Sequence, residues 1–151
     1  MTIKTLEDSW DTQVRERCMG MRTLFVYGTL KQGFHNHHFL QDLEADFIGK
    51  ATSTEKYTLY NHWGLPYVRK PLEGEEGNII KGEAYALNHL LTIDALESHP
   101  IHYRRELKTF LVQNPNNTQQ TITMPCFVYF EAKPNDMNPE CLEEWTLNPN
   151  Q

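Results

Sequence analysis

The chain has 151 residues, of which 20 are acidic and 14 basic, and its formal net charge at pH 7 is −6. Its length is typical of one domain, and its 39% apolar content, with 7 Tyr, 7 Phe and 3 Trp, is typical of a packed globule. No segment clusters Lys and Arg as a nucleic-acid interface requires, and no apolar run approaches the roughly 20 residues of a membrane span. We therefore expect neither nucleic acid nor a membrane as a partner.

The first residues lead into acidic and polar ones and do not form the apolar centre of a signal peptide, which predicts a cytoplasmic protein. The sequence leaves the oligomeric state open, with a monomer as the expectation. The cysteines are three in number and far apart, so we expect free thiols and neither a disulfide framework nor a Cys-x-x-Cys zinc site: Cys18, Cys126 and Cys141.

Five histidines fall into two groups, and their spacing matches no common zinc pattern: His35, His37 and His38, then His99 and His102. No cysteine lies near either group in the sequence. We therefore predict that the protein holds no metal.

Residues 1–20 are charged and lack a strong period, whereas Arg22–Tyr27 is an apolar, β-prone run that ends at Gly28. This contrast assigns residues 1–20 to an N-terminal extension and residues 21–151 to one domain. Two alternatives remain for the extension. It is either dispensable, with Met21 as an alternative start, or an ordinary helix packed on the surface of the domain.

Short elements follow in chain order. The patterns predict a short helix over Asn36–Leu43, then strands around Phe47–Ala51, Tyr57–Tyr60, Leu65–Val68 and Asn78–Leu87. A helix begins at Asn88, a reasonable N-cap, and stops before Pro100, because proline disfavours a helical predecessor.

Two long β-prone runs complete the pattern, Tyr103–Val112 and Thr121–Glu131, and the turn-rich residues 114–117 between them predict a hairpin. One helical turn is expected near residues 140–145.

The helix that follows Asn88 carries a carboxylate on its apolar side. At 100° per residue, Leu90, Ile93 and Leu96 form the apolar arc, and Glu97 projects between the directions of Leu90 and Ile93. Burial there would raise the pKa of the carboxyl group toward neutrality, as an acid or base that exchanges protons at physiological pH requires. The alternative is a structural ion pair between Glu97 and either Arg104 or Arg105.

Asp94 lies three residues before Glu97, at the edge of the same helical face. It either orients a partner or is solvated, and solvation is the expectation.

The run from Gly28 to Gly33 directly follows a strand, but Phe34 and His35 stand where a nucleotide-binding Walker loop needs Lys and Ser or Thr. Two readings remain. The run is either a plain structural turn, or a turn whose free backbone N–H groups hold a carboxylate or a developing oxyanion.

Several segments together resemble the γ-glutamyl cyclotransferase superfamily, most closely its γ-glutamylamine cyclotransferase branch. The opening signature is Tyr27-Gly28-Thr29-Leu30-Lys31-Gln32-Gly33 with Asn36-His37, and the others are Lys81–Tyr85, Ile93–Ser98 with Pro100, Tyr103-Arg104-Arg105 and Pro125–Tyr129. They occur in the family's order and run over residues 22–131. Residues 1–20 have no counterpart in the family, and His99 and Ile101-His102 depart from its pattern.

The resemblance implies an α+β domain in which a small, mixed, barrel-like β-sheet is flanked by short helices, and it implies no cofactor. The family's acid/base glutamate falls on Glu97, and its substrate-binding loop falls on Tyr27, Gly28, Thr29 and Leu30. We expect Tyr103 and Tyr129 to be walls of the substrate pocket.

The implied partner is a small γ-glutamyl compound. The implied reaction is intramolecular aminolysis of a γ-glutamyl amide such as γ-glutamyl-ε-lysine, which yields 5-oxoproline and a free amine. Two alternatives stay open: a cyclotransferase that acts on another γ-glutamyl metabolite, and a non-catalytic module of the same fold that binds a small molecule or a protein.

Overall fold

The computed structural model describes residues 9–134 and 139–146. The helices in these residues are α1 (Trp10–Cys18), α2 (His38–Asp42) and α3 (Leu91–Leu96). The strands are β1 (Arg22–Val26), β2 (Asp46–Ser53), β3 (Thr58–His62), β4 (Leu65–Arg69), β5 (Lys81–Leu87), β6 (Tyr103–Asn114) and β7 (Asn117–Glu131).

Five of the strands close into a barrel in the order β1-β5-β2-β6-β7. Neighbouring strands are antiparallel except β1 and β7, which pair in parallel with Leu24 opposite Phe127 and thereby close the barrel. Strands β3 and β4 form a separate two-stranded hairpin. The predicted fold, a small mixed barrel-like sheet with short helices, is confirmed.

Successive residues of the barrel strands belong to two different apolar clusters, because side chains alternate between the two faces of a strand. Phe25 of β1 stacks on Phe110 of β6 with ring centroids 4.1 Å apart, although these strands are not neighbours, so the cluster around them fills the barrel interior. The next residues along the strands, Leu24 and Tyr85 among them, belong to a second cluster with Leu40 of α2 and Ile93 of α3. The second cluster therefore holds the helices against the barrel.

The predicted hairpin of β6 and β7 is present, and both strands are longer than predicted. They pair from Tyr103 opposite Glu131 to Asn114 opposite Asn117, so the connecting turn consists of residues 115 and 116. The Asn114 side-chain oxygen accepts a hydrogen bond from the Asn116 N–H (2.9 Å), an Asx-type turn that the Asn-rich sequence favours.

Helix α3 is shorter than the predicted element, and Asn88 is not its N-cap. The helix begins at Leu91, its N-cap residue is Leu90, and no side chain of the N-cap residue makes a capping hydrogen bond. The Leu91 N–H donates to Nδ1 of His89 (3.3 Å). At the other end the helix stops at Leu96, with Glu97 as the C-cap residue, and Ser98 follows with φ +52°.

Two other predicted elements differ. The strand predicted from Asn78 begins at Lys81, and Asn78 itself makes only an isolated bridge to Tyr57. The helical turn near Glu140–Trp145 is wrong. Leu142 instead pairs with Leu59 in an isolated bridge, residues 143 and 144 form bends, and Trp145 is buried (1% exposed).

Helix α1 packs against the domain, in agreement with the second alternative for the N-terminal segment. Trp10 (4% exposed) and Val14 (2%) are one turn apart and join the interior cluster, and Arg17 donates to Asp46 and to the carbonyl of Phe47 at the start of β2. The segment before Met21 thus contributes to the core from Trp10 onward. The domain boundary after residue 20 stays a prediction, and residues 1–8 lie outside the described part of the chain.

The three cysteines are free, as predicted, and Cys126 is buried in the barrel. Within the described residues no helix combines the length and the apolar character that a membrane span requires.

Replacement of Trp10 tests whether α1 is part of the core. We expect Trp10→Ala to lower the free energy of unfolding by about 3–5 kcal/mol, because a buried indole is removed and a cavity remains. Urea unfolding of Glu16→Ala, an exposed change on the same helix, is the control and should match the parent chain. Equal stability of the two variants would mean that α1 is dispensable.

Candidate active site

A cavity of about 220 Å³ lies where the end of β1, α3, β4 and the strands β6 and β7 meet. All seven residues proposed from the sequence line it: Tyr27, Gly28, Thr29, Leu30, Glu97, Tyr103 and Tyr129. The remaining lining residues are Phe25, Val26, Asn36, Leu65, Pro66, Leu96 and His102. The structure therefore brings together residues that are up to a hundred positions apart in the sequence.

Glu97 is the acidic residue of this lining. It follows α3 directly, and its N–H continues the helical pattern by donating to the carbonyl of Ile93 (2.9 Å). Its side chain is partly buried, and burial raises the pKa of its carboxyl group to about 7. Within the described residues no side chain donates a hydrogen bond or forms a salt bridge to this carboxyl group, so burial acts without compensation.

The arginines that were candidates to neutralise Glu97 are occupied elsewhere. Arg104 pairs with Glu106 (2.8 Å), and Arg105 pairs with Asp94, Nε to Oδ1 at 2.8 Å and Nη2 to Oδ2 at 3.1 Å. The structural ion-pair alternative for Glu97 is therefore wrong.

The expectation that Asp94 is solvated is also wrong. Besides the two contacts from Arg105, its carboxylate accepts a hydrogen bond from the Tyr129 hydroxyl (2.5 Å). Burial acts to raise the pKa of Asp94, but the hydrogen bonds from Arg105 and Tyr129 outweigh it and hold the pKa below its usual value. Asp94 is thus ionised near neutral pH, one helical turn from a carboxyl group that titrates there.

The turn after β1 lines the cavity and contains backbone N–H groups without an acceptor. Within the described residues the N–H groups of Gly28, Thr29 and Leu30 have no hydrogen-bond acceptor, whereas the next N–H, of Lys31, donates to the carbonyl of Gly28 (3.1 Å). Gly28 and Leu30 are buried, and a buried N–H group without an acceptor is costly. Such a run of free donors is an anion-binding arrangement, which favours that alternative over a plain structural turn.

Neighbouring residues hold the turn in shape. Asn36 donates from its side chain to the Thr29 hydroxyl (2.9 Å) and from its backbone to the Thr29 carbonyl (3.0 Å), and the His37 ring is hydrogen-bonded to the Leu30 carbonyl (2.8 Å). Gly28 is required by close approach, since a Cβ atom there would lie 2.6 Å from Cγ of Pro66 on β4.

Tyrosines form one wall of the cavity. The Tyr103 hydroxyl donates to the carbonyl of Pro66 (2.8 Å), and the Tyr103 ring stacks on Tyr67 with centroids 5.2 Å apart. The Tyr27 hydroxyl donates to the backbone carbonyl of Tyr129 (2.6 Å). These hydroxyl groups are committed to protein acceptors, and burial raises the pKa of each of the three lining tyrosines above its usual value.

Sequence reasoning missed several lining residues. Asn36 lies within the quoted signature and was assigned no role. Its place in that signature was a usable signal. Pro66 and Leu65 reach the cavity only because the β3–β4 hairpin folds over it, and no local pattern predicts that contact. His102, by contrast, was singled out as a departure from the family pattern, and it lines the cavity while its Nε2 is hydrogen-bonded to the Tyr67 hydroxyl (2.9 Å).

A second cavity, of about 650 Å³, lies beyond Lys31 and contains none of the seven residues. Its lining is mostly polar and charged, with exposed Lys50 and Lys81 and a buried Lys31 whose Nζ donates to the Trp145 carbonyl (2.7 Å). The smaller cavity is the candidate active site, because it combines a carboxyl group that titrates near neutral pH with free backbone donors.

Comparison with known proteins identifies the family of this chain. The model of the family described as γ-glutamyl cyclotransferase, AIG2-like, matches residues 24–147. The chain belongs to this family. It is 36% identical over 114 residues to a Drosophila melanogaster protein named as a candidate γ-glutamylcyclotransferase, and the match covers 70% of this chain and 67% of that protein.

A human protein and a mouse protein structure are also similar to this chain. This γ-glutamyl cyclotransferase-family chain is 33% identical over 124 residues to human γ-glutamylaminecyclotransferase, with 74% of this chain and 80% of the human protein covered. The crystal structure of an AIG2-like protein from mouse superposes with a TM-score of 0.72 at 25% identity and covers 86% of this chain and 92% of the mouse chain. The predicted superfamily is confirmed.

The uncompensated burial of Glu97 predicts a pH-dependent cost to stability. Below pH 4.5, the usual pKa of the group, the carboxyl group is protonated in both the folded and the unfolded chain. Between there and the folded pKa of about 7, the unfolded chain ionises first, so this group's contribution to stability falls as the pH rises, by roughly 3 kcal/mol in total. We expect Glu97→Gln, which is neutral throughout, to gain stability over the parent chain between about pH 5 and pH 8.

Urea unfolding of the parent chain and of Glu97→Gln at about pH 5 and about pH 8 measures this difference. The contributions of the other titrating groups are the same in both proteins and cancel. Glu16→Gln on the exposed side of α1 is the control and should show no such gain. The same stability difference between parent and Glu97→Gln at both pH values would mean that the pKa of Glu97 is not raised.

Proposed function

We propose that this chain is a γ-glutamylamine cyclotransferase, which converts a γ-glutamyl amide such as γ-glutamyl-ε-lysine into 5-oxoproline and a free amine without a cofactor or a metal. The observation that carries the proposal is the position of Glu97, whose carboxyl group has a pKa of about 7 and shares a small cavity with three free backbone N–H groups. Family membership and the similarity to human γ-glutamylaminecyclotransferase support the same reaction class.

In the proposed reaction the substrate's own α-nitrogen attacks its γ-carbonyl carbon, forms the C–N bond of a five-membered lactam and breaks the amide bond to the leaving amine. The nucleophile is already attached to the electrophile, so the enzyme has to fold the substrate into a ring-like conformation and move protons. The N–H groups of Gly28, Thr29 and Leu30 offer a site for one anionic oxygen, either of the α-carboxylate or of the oxyanion that forms at the γ-carbon.

Glu97 would carry the protons. The α-ammonium group loses two protons on its way to the lactam N–H, and the amide nitrogen gains two on its way to an ammonium group, so the net proton balance is zero. A carboxyl group with a pKa near 7 is suited to each step, since it is both a competent base and a competent acid at neutral pH. The absence of a cation beside Glu97 in the described residues matters here, because a salt bridge would keep the group ionised.

The leaving amine would lie toward the β3–β4 hairpin and the loop before β6. Leu65 and Pro66 line the cavity from the hairpin, and His102 lines it from the loop. Among the described residues, the cavity lining contains no carboxylate other than Glu97 and no lysine or arginine, so a second α-amino or α-carboxylate group beside the scissile bond would find no charged partner there. A γ-glutamyl dipeptide has such a carboxylate one atom from the leaving nitrogen, whereas in γ-glutamyl-ε-lysine a methylene chain separates both charged groups from it.

A binding module of the same fold is the alternative of another class. A site that only binds an ammonium group is served best by a carboxylate that is already ionised at neutral pH, whereas the Glu97 carboxyl group has a pKa of about 7 and lowers stability when it ionises. Glu97 therefore favours an enzyme.

Glu97→Gln tests the proposed acid/base role. We expect kcat to fall by about 10²–10⁴-fold, because the amide keeps the shape of the side chain and cannot exchange protons. In the parent chain kcat/KM should fall about tenfold per pH unit below the Glu97 pKa of about 7, since only the ionised form accepts a proton. Glu106→Gln, on the partly exposed side chain that pairs with Arg104, is the matched control and should keep parental activity. Parental kcat in Glu97→Gln would remove Glu97 from the mechanism.

Substrate comparison tests the reaction and the branch separately. We expect kcat/KM for γ-glutamyl-ε-lysine to exceed that for γ-glutamyl-alanine by tenfold or more. The reason is that the dipeptide brings one unfavourable charge contact into the site. The Nα-acetylated form of the lysine compound should not react, because its α-nitrogen is blocked. Release of 5-oxoproline is the readout. Faster turnover of the dipeptide would indicate a different γ-glutamyl substrate, and cleavage of the acetylated compound would exclude cyclisation.

A further inference from the structure

Asp94 connects three elements that surround the candidate active site. It lies on α3, one turn before Glu97, and its carboxylate is held by Arg105 of β6 and by the hydroxyl of Tyr129 of β7. Arg105 and Tyr129 are directly opposite each other in the β6–β7 ladder, so both donors come from one rigid, paired site on the barrel. The bidentate contact from Arg105 fixes the direction of the carboxylate as well as its place.

Tyr129 continues this connection to the turn after β1. Its side chain lines the cavity and donates to Asp94 (2.5 Å), while its backbone carbonyl accepts from the Tyr27 hydroxyl (2.6 Å). Hydrogen bonds thus link Arg105 and the Tyr129 side chain to Asp94, and the backbone of Tyr129 is linked in turn to Tyr27. This chain of contacts joins the segment that carries Glu97 to the turn that carries the free N–H groups of Gly28, Thr29 and Leu30.

We propose that Asp94 is a positioning residue, which acts through Tyr129 to fix the distance between Glu97 and the turn at Gly28. This inference rests on the proposed function for the meaning of that distance, because the proton carrier and the anion site must address two ends of one small substrate. A shift of about 1 Å between such groups can cost a hundredfold in rate.

The hydrogen bond to Asp94 also determines whether the Tyr129 hydroxyl group can donate or accept a further hydrogen bond. Its hydrogen is committed to an ionised carboxylate, so its oxygen can only accept a further hydrogen bond. A substrate group that meets this oxygen must itself be a donor, as an ammonium group is. Asp94 thus favours a cavity wall that accepts from the α-ammonium group over one that donates to it.

A purely structural ion pair is the competing explanation, and the neighbouring pair provides a control for it. Arg104 and Glu106 lie on the same strand and also pair at 2.8 Å, but neither lines the cavity. Breaking that pair leaves an arginine without its carboxylate, as Asp94→Asn does, and leaves the chain from Arg105 to Tyr27 intact.

The experiment is a double-mutant cycle on steady-state kinetics with Asp94→Asn, Tyr129→Phe, the two combined, and Glu106→Gln. Tyr129→Phe retains the aromatic wall and removes only the hydroxyl group. We expect each single change to lower kcat about tenfold or more, and we expect KM of Asp94→Asn to change less than about threefold, since orientation rather than binding is lost there. The combined variant should lose no more than the worse single variant, because Asp94 acts through Tyr129. Glu106→Gln should match the parent chain.

Two kinetic results would overturn the proposal: parental kcat in Tyr129→Phe, or multiplied losses in the combined variant. If these occur while Glu97→Gln is inactive, the proposed function stands and only the positioning role fails.

If the parent chain turns over no γ-glutamyl compound, the proposed function fails, and NMR decides the positioning role without activity. Asp94→Asn and Tyr129→Phe should then shift the Glu97 carboxyl carbon and the backbone amides of Gly28, Thr29 and Leu30, whereas Glu106→Gln should not. Shifts confined to the surroundings of residue 94 would overturn the proposal.

Discussion

The candidate site depends on one uncompensated interaction. The Glu97 carboxyl group is buried, and among the described residues no cation is paired with it. In most proteins a partly buried carboxylate is paired, and an arginine two or three residues into the next strand would be the natural partner. Here Arg105 is held by Asp94 and Arg104 by Glu106, so the charge of each guanidinium group is already balanced. Burial therefore raises the pKa of Glu97, and neither guanidinium group lowers it.

A second uncompensated feature lies in the lining of the same cavity. Within the described residues the backbone donors of Gly28, Thr29 and Leu30 lack acceptors, and Gly28 lies so close to Pro66 that a Cβ atom would not fit between them. A carboxyl group that is costly when ionised and donors that are costly when unpaired are both relieved by one ligand that brings an ammonium group and an anionic oxygen. The closed barrel provides the rigidity that holds these two features apart in the absence of such a ligand.

The sequence allowed much of this to be predicted where the signal was local. The helical period placed Glu97 on the apolar side of its helix, and the strand that ends at Gly28 predicted the turn. It did not predict the partner of Arg105, because Asp94 and both arginines are polar residues near the surface, and only the register of β6 and β7 decides which charges meet. The contribution of Pro66 and the burial of Trp10 also depend on long-range packing, which alternation along a strand or helix does not encode.

The two halves of the cavity come from different parts of the fold. This division suggests how one barrel can accept different γ-glutamyl compounds. The proposed glutamyl half is built from β1, α3 and β7, which are tied together by the hydrogen bonds of Tyr129 and by the barrel ladder. The proposed amine half comes from the β3–β4 hairpin, which is not part of the barrel sheet, and from the loop that holds His102. Residues in that half can change without moving Glu97 or the turn. Such a division keeps the chemistry constant while the loops determine which amine is released.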